Sequence, residues 1–161
     1  MIATRGSLVA VLDGLFVTPA VTAITEALAS AGTPTDEALV VIGHPKLATA
    51  LRGSREVIAV GMSERAAKKL GATLADTSTL ENGSVAALVA VDVSTLDPAA
   101  CPTQLAEYAR VVRDGGALVF VDRGHAPEAS RRALCAGLTE IEQRHAGRTI
   151  VTSGLVTHLG T

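Results

Sequence analysis

Apolar positions along the chain fall into two spacings. One is continuous. Glu37–Ile42 (EALVVI), Glu56–Val60 (EVIAV), Val85–Val93 (VAALVAVDV) and Ala117–Val121 (ALVFV) are short runs rich in β-branched residues. Glycine, proline, asparagine or aspartate bounds each of them. Apolar residues at both parities over this length predict strands covered on both faces. The other spacing is helical. Val21, Ile24, Ala27 and Leu28 recur on one face after Thr18-Pro19 and before Gly32, so a hydroxyl cap and an N1 proline predict a helix start at Thr18.

The two spacings alternate. Residues 1–32 read as one or two helices that pack on the rest of the domain. The first strand turns at Gly43-His44-Pro45 into a short helix, Lys46–Leu51, stopped by Gly53. The second turns at Gly61-Met62 into a helix capped by Ser63 and closed by Gly71. Ala72–Ala75 is a weak third strand before the loop Asp76-Thr77-Ser78-Thr79. A helix opening at Pro102-Thr103 runs into Tyr108–Asp122 (YARVVRDGGALVFVD), where Gly115-Gly116 are expected to stop it. Arg110 and Arg113 then fall in its last turn, where cations suit the helix dipole. A helix over about Pro127–Gly137 precedes two closing strands, Thr139–Gln143 and Arg148–Leu159, joined through Ala146-Gly147. β-α units with short connections predict an α/β fold: a doubly wound, mostly parallel, Rossmann-like sheet with a C-terminal antiparallel β-hairpin. The whole of 1–161 reads as one domain, with 1–36 a helical segment and 37–161 the α/β core.

Composition narrows the partners more than the fold. Hydrophobic residues make up 48% and charged residues 19% of the 161, which marks a globular chain. A net charge of -2 without a basic stripe, and only two Phe, one Tyr and no Trp, argue against nucleic acid as a partner. Cys101 and Cys135 form no CxxC or Cys/His cluster, so they read as two buried thiols in a reducing compartment. The apolar stretch Ser7–Val17 is interrupted by Asp13 and is too short to span a bilayer. Asp13 also spoils it as the core of a signal peptide, despite Ala-x-Ala-like residues near Ala27. A cytoplasmic chain without membrane attachment is expected.

Arg110–Asp122 (RVVRDGGALVFVD) resembles the R-V-L-x-P-G-G-x-L-V-L-x-D segment of class I S-adenosylmethionine-dependent methyltransferases, and the chain is similar to their type 11-like members. Val57–Gly71 resembles the family's second strand and helix. Thr73–Val93 resembles its third strand, L-P-F-x-D-G-S-F-D turn and fourth strand, and Gly137–Gly154 its closing hairpin. The resemblance spans roughly residues 37–158. It implies a last strand lying antiparallel between its neighbours, and a cofactor crevice at Gly43, His44, Gly61, Met62, Asp76 and Thr77. The departures lie in that crevice. The family's G-x-G-x-G loop is here Gly43-His44-Pro45-Lys46, with one glycine and a proline that lacks an amide donor. The acidic residue that binds both ribose hydroxyls is replaced by Gly61-Met62. Asp76 matches the position that reaches the adenine amino group. Ala86 replaces the aspartate of the L-P-F element.

Each candidate also has a plainer reading. Asp76 is expected to cap its own loop. Asp92 and Asp122 end strands at the carboxyl edge, where doubly wound sheets bind ligands, yet a turn-forming role is expected first. His44 reads as an exposed loop histidine. His125, His145 and His158 show no metal-ligand spacing, so no metal site is expected. Glu64-Arg65, Lys68-Lys69 and Arg131-Arg132 read as solvated helix faces. Ser153-Gly154 lacks the G-x-S-x-G frame of a nucleophile elbow. The expected function is a methyltransferase-like pseudoenzyme with a degenerate cofactor site, a binding or assembly module that self-associates as a homodimer, with Leu15, Phe16 and Val17 as contact candidates. The alternative is an active S-adenosylmethionine-dependent methyltransferase acting on a small molecule with Asp92 as base. A crevice repurposed for another ligand, such as a nucleotide, is the third.

Overall fold

A computed structural model describes residues 5–53 and 55–158, with side chains from Thr18 onward. The order of elements is α1 (Arg5–Ser30), β1 (Leu39–Ile42), α2 (Pro45–Arg52), β2 (Val57–Val60), α3 (Glu64–Leu70), β3 (Thr73–Leu74), β4 (Val85–Val91), α4 (Cys101–Val111), β5 (Val112–Arg123), α5 (Ala126–Cys135), β6 (Thr139–Ala146) and β7 (Thr149–Leu155). Two 3₁₀ turns, Thr77–Thr79 and Val93–Thr95, follow β3 and β4. The strands form one seven-stranded sheet in the order β3-β2-β1-β4-β5-β7-β6. β1 to β5 are parallel, and β7 runs antiparallel to both β5 and β6. The α/β class, the mostly parallel sheet and the antiparallel last strand between its neighbours are all as the pattern and the resemblance led one to expect.

Alternation along the strands divides the core into two layers. Leu39 and Val41 of β1, Ala87 and Val89 of β4, and Ala117, Val119 and Val121 of β5 face a layer made by α1, α2 and Leu70 of α3. Val40, Leu88, Ala90, Leu118 and Phe120 face the opposite layer, made by α4, Ala133 and Leu138. The central strands are thus apolar at both parities because helices cover both faces.

Two local expectations fail. α1 does not begin at Thr18: Pro19 lies inside one continuous helix from Arg5 to Ser30. Burial of Ala20, Ala23, Ile24, Ala27 and Leu28 against the sheet outweighs the lost amide bond. Nor do Gly115-Gly116 stop α4. The helix ends at Val111, and the glycines lie inside β5. Val85 pairs with Val112 and Ala87 with Ala117, so residues 113–116 bulge out opposite Ala86. Gly115 adopts φ +78°, and a Cβ on Gly116 would stand 2.6 Å from the Ala86 carbonyl oxygen and from Val112 Cγ1. Glycine is required there by a bulge and a close approach. Arg113, displaced from the helix into the strand, pairs with Glu37 instead. The third strand shortens to Thr73–Leu74, and the side chains of Leu15, Phe16 and Val17 lie outside the described residues.

Candidate functional site

The parallel strands bring the sequence-selected residues to one edge of the sheet, in two groups. The first group closes β1 and β2. Gly43 (φ +69°) donates its amide to the Val60 carbonyl at 2.7 Å, tying the turn after β1 to the end of β2. Gly61 (φ +68°) is so near that a Cβ on it would lie 3.7 Å from Gly43 N. His44 is half-buried and not the exposed loop residue expected. It is the N-cap of α2, and its Nδ1 accepts from Leu47 N–H at 3.1 Å, with Pro45 in the first turn. The free donors that a helix N-terminus ordinarily offers a ligand are thereby reduced by one hydrogen bond and one proline. Met62 packs its side chain against the α1–α2 layer. The first carboxylate after β2 is Glu64, exposed in the opening turn of α3.

Asp76 and Thr77 lie beside this group, after β3. Asp76 is exposed, and its Oδ1 accepts from Ser78 N–H at 3.1 Å while its carbonyl accepts from the Thr79 hydroxyl at 2.7 Å. Thr77 is buried, and its carbonyl takes Arg110 Nη2–H at 2.7 Å. Arg110 also donates to Leu80 O, Asn82 Oδ1 and the Glu107 carboxylate, so one α4 side chain holds the whole loop. Sequence reading placed Arg110 correctly on the helix but gave it only a dipole role.

The second group stands at the ends of β4 and β5. Asp92 (φ 59°) and His125 (φ 60°) both hold left-handed backbone conformations, which cost non-glycine residues roughly 1–3 kcal/mol. Asp92 is exposed, its amide donates to Val121 O at 2.8 Å, and its side chain caps nothing in the following turn. Between them lies Asp122, fully buried. Its Oδ1 accepts from both Ser94 N–H (2.8 Å) and Ser94 Oγ–H (2.7 Å), and its Oδ2 is buried without a hydrogen-bond partner. Burial raises its carboxyl above the usual aspartate value. The Ser94 bonds oppose that, and nearby Asp92 adds to it while His125 subtracts. The expectation that Asp122 simply forms a turn thus meets a buried, proton-favouring carboxyl.

Arg132 completes this group and corrects another expectation. Arg131-Arg132 is not a uniformly solvated face: the Arg132 side chain is 7% exposed, against 62% for Arg131. Its guanidinium donates to the Val93 and Leu96 carbonyls beneath the 3₁₀ turn and to Glu128. The two arginines hold the Glu128 carboxyl down to about 2, Arg131 first and Arg132 second. The signal was present in the sequence, since a 100°-per-residue turn puts Arg132 on the face of Ala129 and Ala133, both buried.

Cys101 is buried, but Cys135, the last residue of α5, is exposed, so only one of the two expected buried thiols is so. Among the described residues no three His, Cys, Asp or Glu side chains group as metal ligands, and no helix is long and apolar enough to cross a membrane. A cleft lined by Pro98, Cys101, Leu105, Arg132 and Cys135 lies between α4 and α5, and neither it nor three further clefts among the described residues is lined by Gly43, His44, Gly61, Met62, Asp76 or Thr77.

No family model matches the chain, and no curated protein matches it by sequence. Solved structures do. The chain is similar to the Burkholderia thailandensis 1,6-didemethyltoxoflavin-N1-methyltransferase, solved with S-adenosylhomocysteine, with a TM-score of 0.69 and 18% identity over 98% of this chain and 92% of that one. It is also similar to an S-adenosylmethionine-dependent methyltransferase from Aquifex aeolicus (TM-score 0.63, 14% identity, 88% and 91% covered). Against the 16S rRNA methyltransferase RsmC of T. thermophilus it aligns over 74% of its own length but spans only 35% of that chain (TM-score 0.59, 17% identity). With the strand order and the reversed seventh strand already in view, these likenesses establish that the chain is built on the fold of the class I S-adenosylmethionine-dependent methyltransferases.

Proposed function

We propose that this is a methyltransferase-fold domain whose cofactor crevice has been closed over, and that it works as a binding or assembly module. The observation that carries the reading is the self-contained β1–β2 end. Gly43 spends its amide on Val60, His44 caps α2 itself, and Gly61-Met62 stand where a carboxylate would meet two ribose hydroxyls. On this reading the residues present do not fit S-adenosylmethionine. Two ribose hydroxyls left without acceptors in a dry site would cost about 1–3 kcal/mol each. Asp76, the one acidic position retained on the adenine side, already spends an oxygen on its own loop. The scaffold survives because its sheet packing does not depend on those contacts.

Calorimetric titration with S-adenosylmethionine and S-adenosylhomocysteine tests this directly. The expected result is no heat of binding at millimolar ligand. Micromolar binding that disappears in Asp76→Ala would overturn the reading and restore an enzyme.

A second reading rests on a different observation, the strained pair Asp92 and His125 around the buried Asp122 carboxyl. Backbone strain and a proton-favouring acid gather at catalytic sites more often than elsewhere. In an active small-molecule methyltransferase the sulfonium methyl is already electrophilic, and Asp92 would take the acceptor's proton while the fold aligns the two. The same titration decides between the readings, because transfer requires the cofactor to bind.

A further inference from the structure

We propose that β6 is the seam of a homodimer, in which two copies pair their β6 edges antiparallel about a two-fold axis through Gln143. The proposal rests on the assembly reading above and supplies its partner, a second copy of this chain. β6 is an eight-residue strand at the outer edge of the sheet, bulged after Thr139 where Glu140 takes φ 49°, regular from Glu142 to Ala146, and hydrogen-bonded to β7 alone among the described residues. Its other edge leaves backbone amides and carbonyls free to pair, an arrangement that proteins either guard or use.

Charge pattern distinguishes guarding from use. A two-fold axis perpendicular to the sheet keeps each side chain on its own face, so residues i and j meet only if i + j is even and the axis passes through a residue. Centred on Glu142, the two Glu142 carboxylates would oppose each other; centred on Arg144, the two guanidinium groups would. Centred on Gln143, each Glu142 faces Arg144 of the other copy within the regular stretch of the strand, and no like charges are directly opposite. Opposite-charge cross-strand pairs stabilise a sheet and like pairs destabilise it. One register is therefore favoured and its neighbours are penalised.

Arg144 is the cation that each Glu142 would meet across the seam. Within one copy its Nη2 reaches Glu142 at 2.9 Å and Ser30 Oγ at 2.8 Å, with Glu26 near Nε at 3.8 Å. The Glu142 carboxylate is 55% exposed on the same sheet face and has acceptor capacity left for a second guanidinium. In the dimer each Glu142 gains the Arg144 guanidinium of the second copy beside the one it holds in its own.

Sedimentation equilibrium on the full chain and on two charge reversals tests the seam. Wild type is expected to dimerise. Glu142→Arg and Arg144→Glu are each expected to weaken association by roughly tenfold or more, because each places like charges opposite across the seam. A mixture of the two variants is expected to regain the dimer as a heterodimer, since the two arginines of one variant then meet the two glutamates of the other. That recovery separates a broken seam from a misfolded chain. Register is read independently in a Cys135→Ser background, where Gln143→Cys is expected to crosslink to its own copy on oxidation and Glu140→Cys is not. A wild type that stays monomeric, single reversals that associate as well as wild type, or binding of an extended foreign peptide at β6 in place of a second copy would each overturn the proposal. A monomer that also gives no heat with S-adenosylhomocysteine would sink the seam and leave the closed-crevice reading in place. Micromolar cofactor binding would sink that reading whatever the oligomeric state.

Discussion

The carboxyl edge of this sheet has two halves, and they are held in different ways. At the β1–β2 end the caps are local, with His44 bonding three residues ahead, Asp76 two and Ser63 three, and the one long tie beside them is Arg110 on the loop after β3. At the β4–β5 end the ties reach across the chain. Asp122 holds Ser94, and Arg132 holds Val93 and Leu96, 28 to 39 residues away in sequence and buried or partly buried. The turns after β1 and β2 could vary without disturbing the core, because each cap satisfies its own helix. The second half could not, because its polar groups are buried and depend on one another.

Breaking the β4–β5 half should therefore cost most. Arg132→Ala strips the Val93 and Leu96 carbonyls and Glu128 of their donor, and is expected to lower stability by about 3 kcal/mol in urea unfolding. A loss as small as that of a surface arginine would erase the contrast. Asp122→Ala comes next, leaving the Ser94 amide and hydroxyl without their buried acceptor at a cost of about 2 kcal/mol. Asp122→Asn keeps that acceptor and removes the charge. Because burial raises the Asp122 carboxyl, its contribution to stability is full below the ordinary aspartate value of 3.8 and is lost as pH rises through the raised value. The asparagine variant should therefore gain on wild type as the pH rises, and a difference independent of pH would count against a proton-favouring carboxyl.

Smaller effects belong to the surface and to the local loops. His44→Ala removes an N-cap from a helix of eight residues and should cost about 1 kcal/mol by the same unfolding measurement. A loss as large as that of Arg132→Ala would mean that the β1–β2 end is not self-contained. Glu128 sharpens the other half. Its carboxyl is held down to about 2, so the stability it lends is present above the ordinary value of 4.5 and disappears as pH falls through about 2. Acid titrations of wild type and Glu128→Gln should diverge within that window and run parallel above it.

Most of the scaffold was legible in the chain. Runs such as Val85–Val91 and Ala117–Val121 are apolar at both parities, and only a strand covered on both faces satisfies that pattern. Stops at Gly53 and Gly71 were equally plain. The misreadings share a cause. Gly115-Gly116 look like a helix terminus, but the same two residues also permit a bulge, and the approach of Ala86 O from β4 is a contact 30 residues distant in sequence. Thr18-Pro19 carry start chemistry, but burial of the α1 face decides the matter otherwise. Among site residues, His44 was selected for its position, while its capping role depended on where Leu47 N–H would point.

What the sequence by itself determined was the class of fold, the alternation of elements and the uncharged Gly61-Met62 after β2, because periodicity, glycine and residue identity are local properties. What only the tertiary structure decided was which charges are buried. Arg131 and Arg132 are neighbours with the same side chain, yet one is solvated and the other lies beneath the turn after β4. Asp92 and Asp122 end adjacent strands, yet one is exposed and the other sealed with an unpaired oxygen. Desolvation depends on everything packed around a group, and for these four residues that surrounding comes from segments distant in sequence.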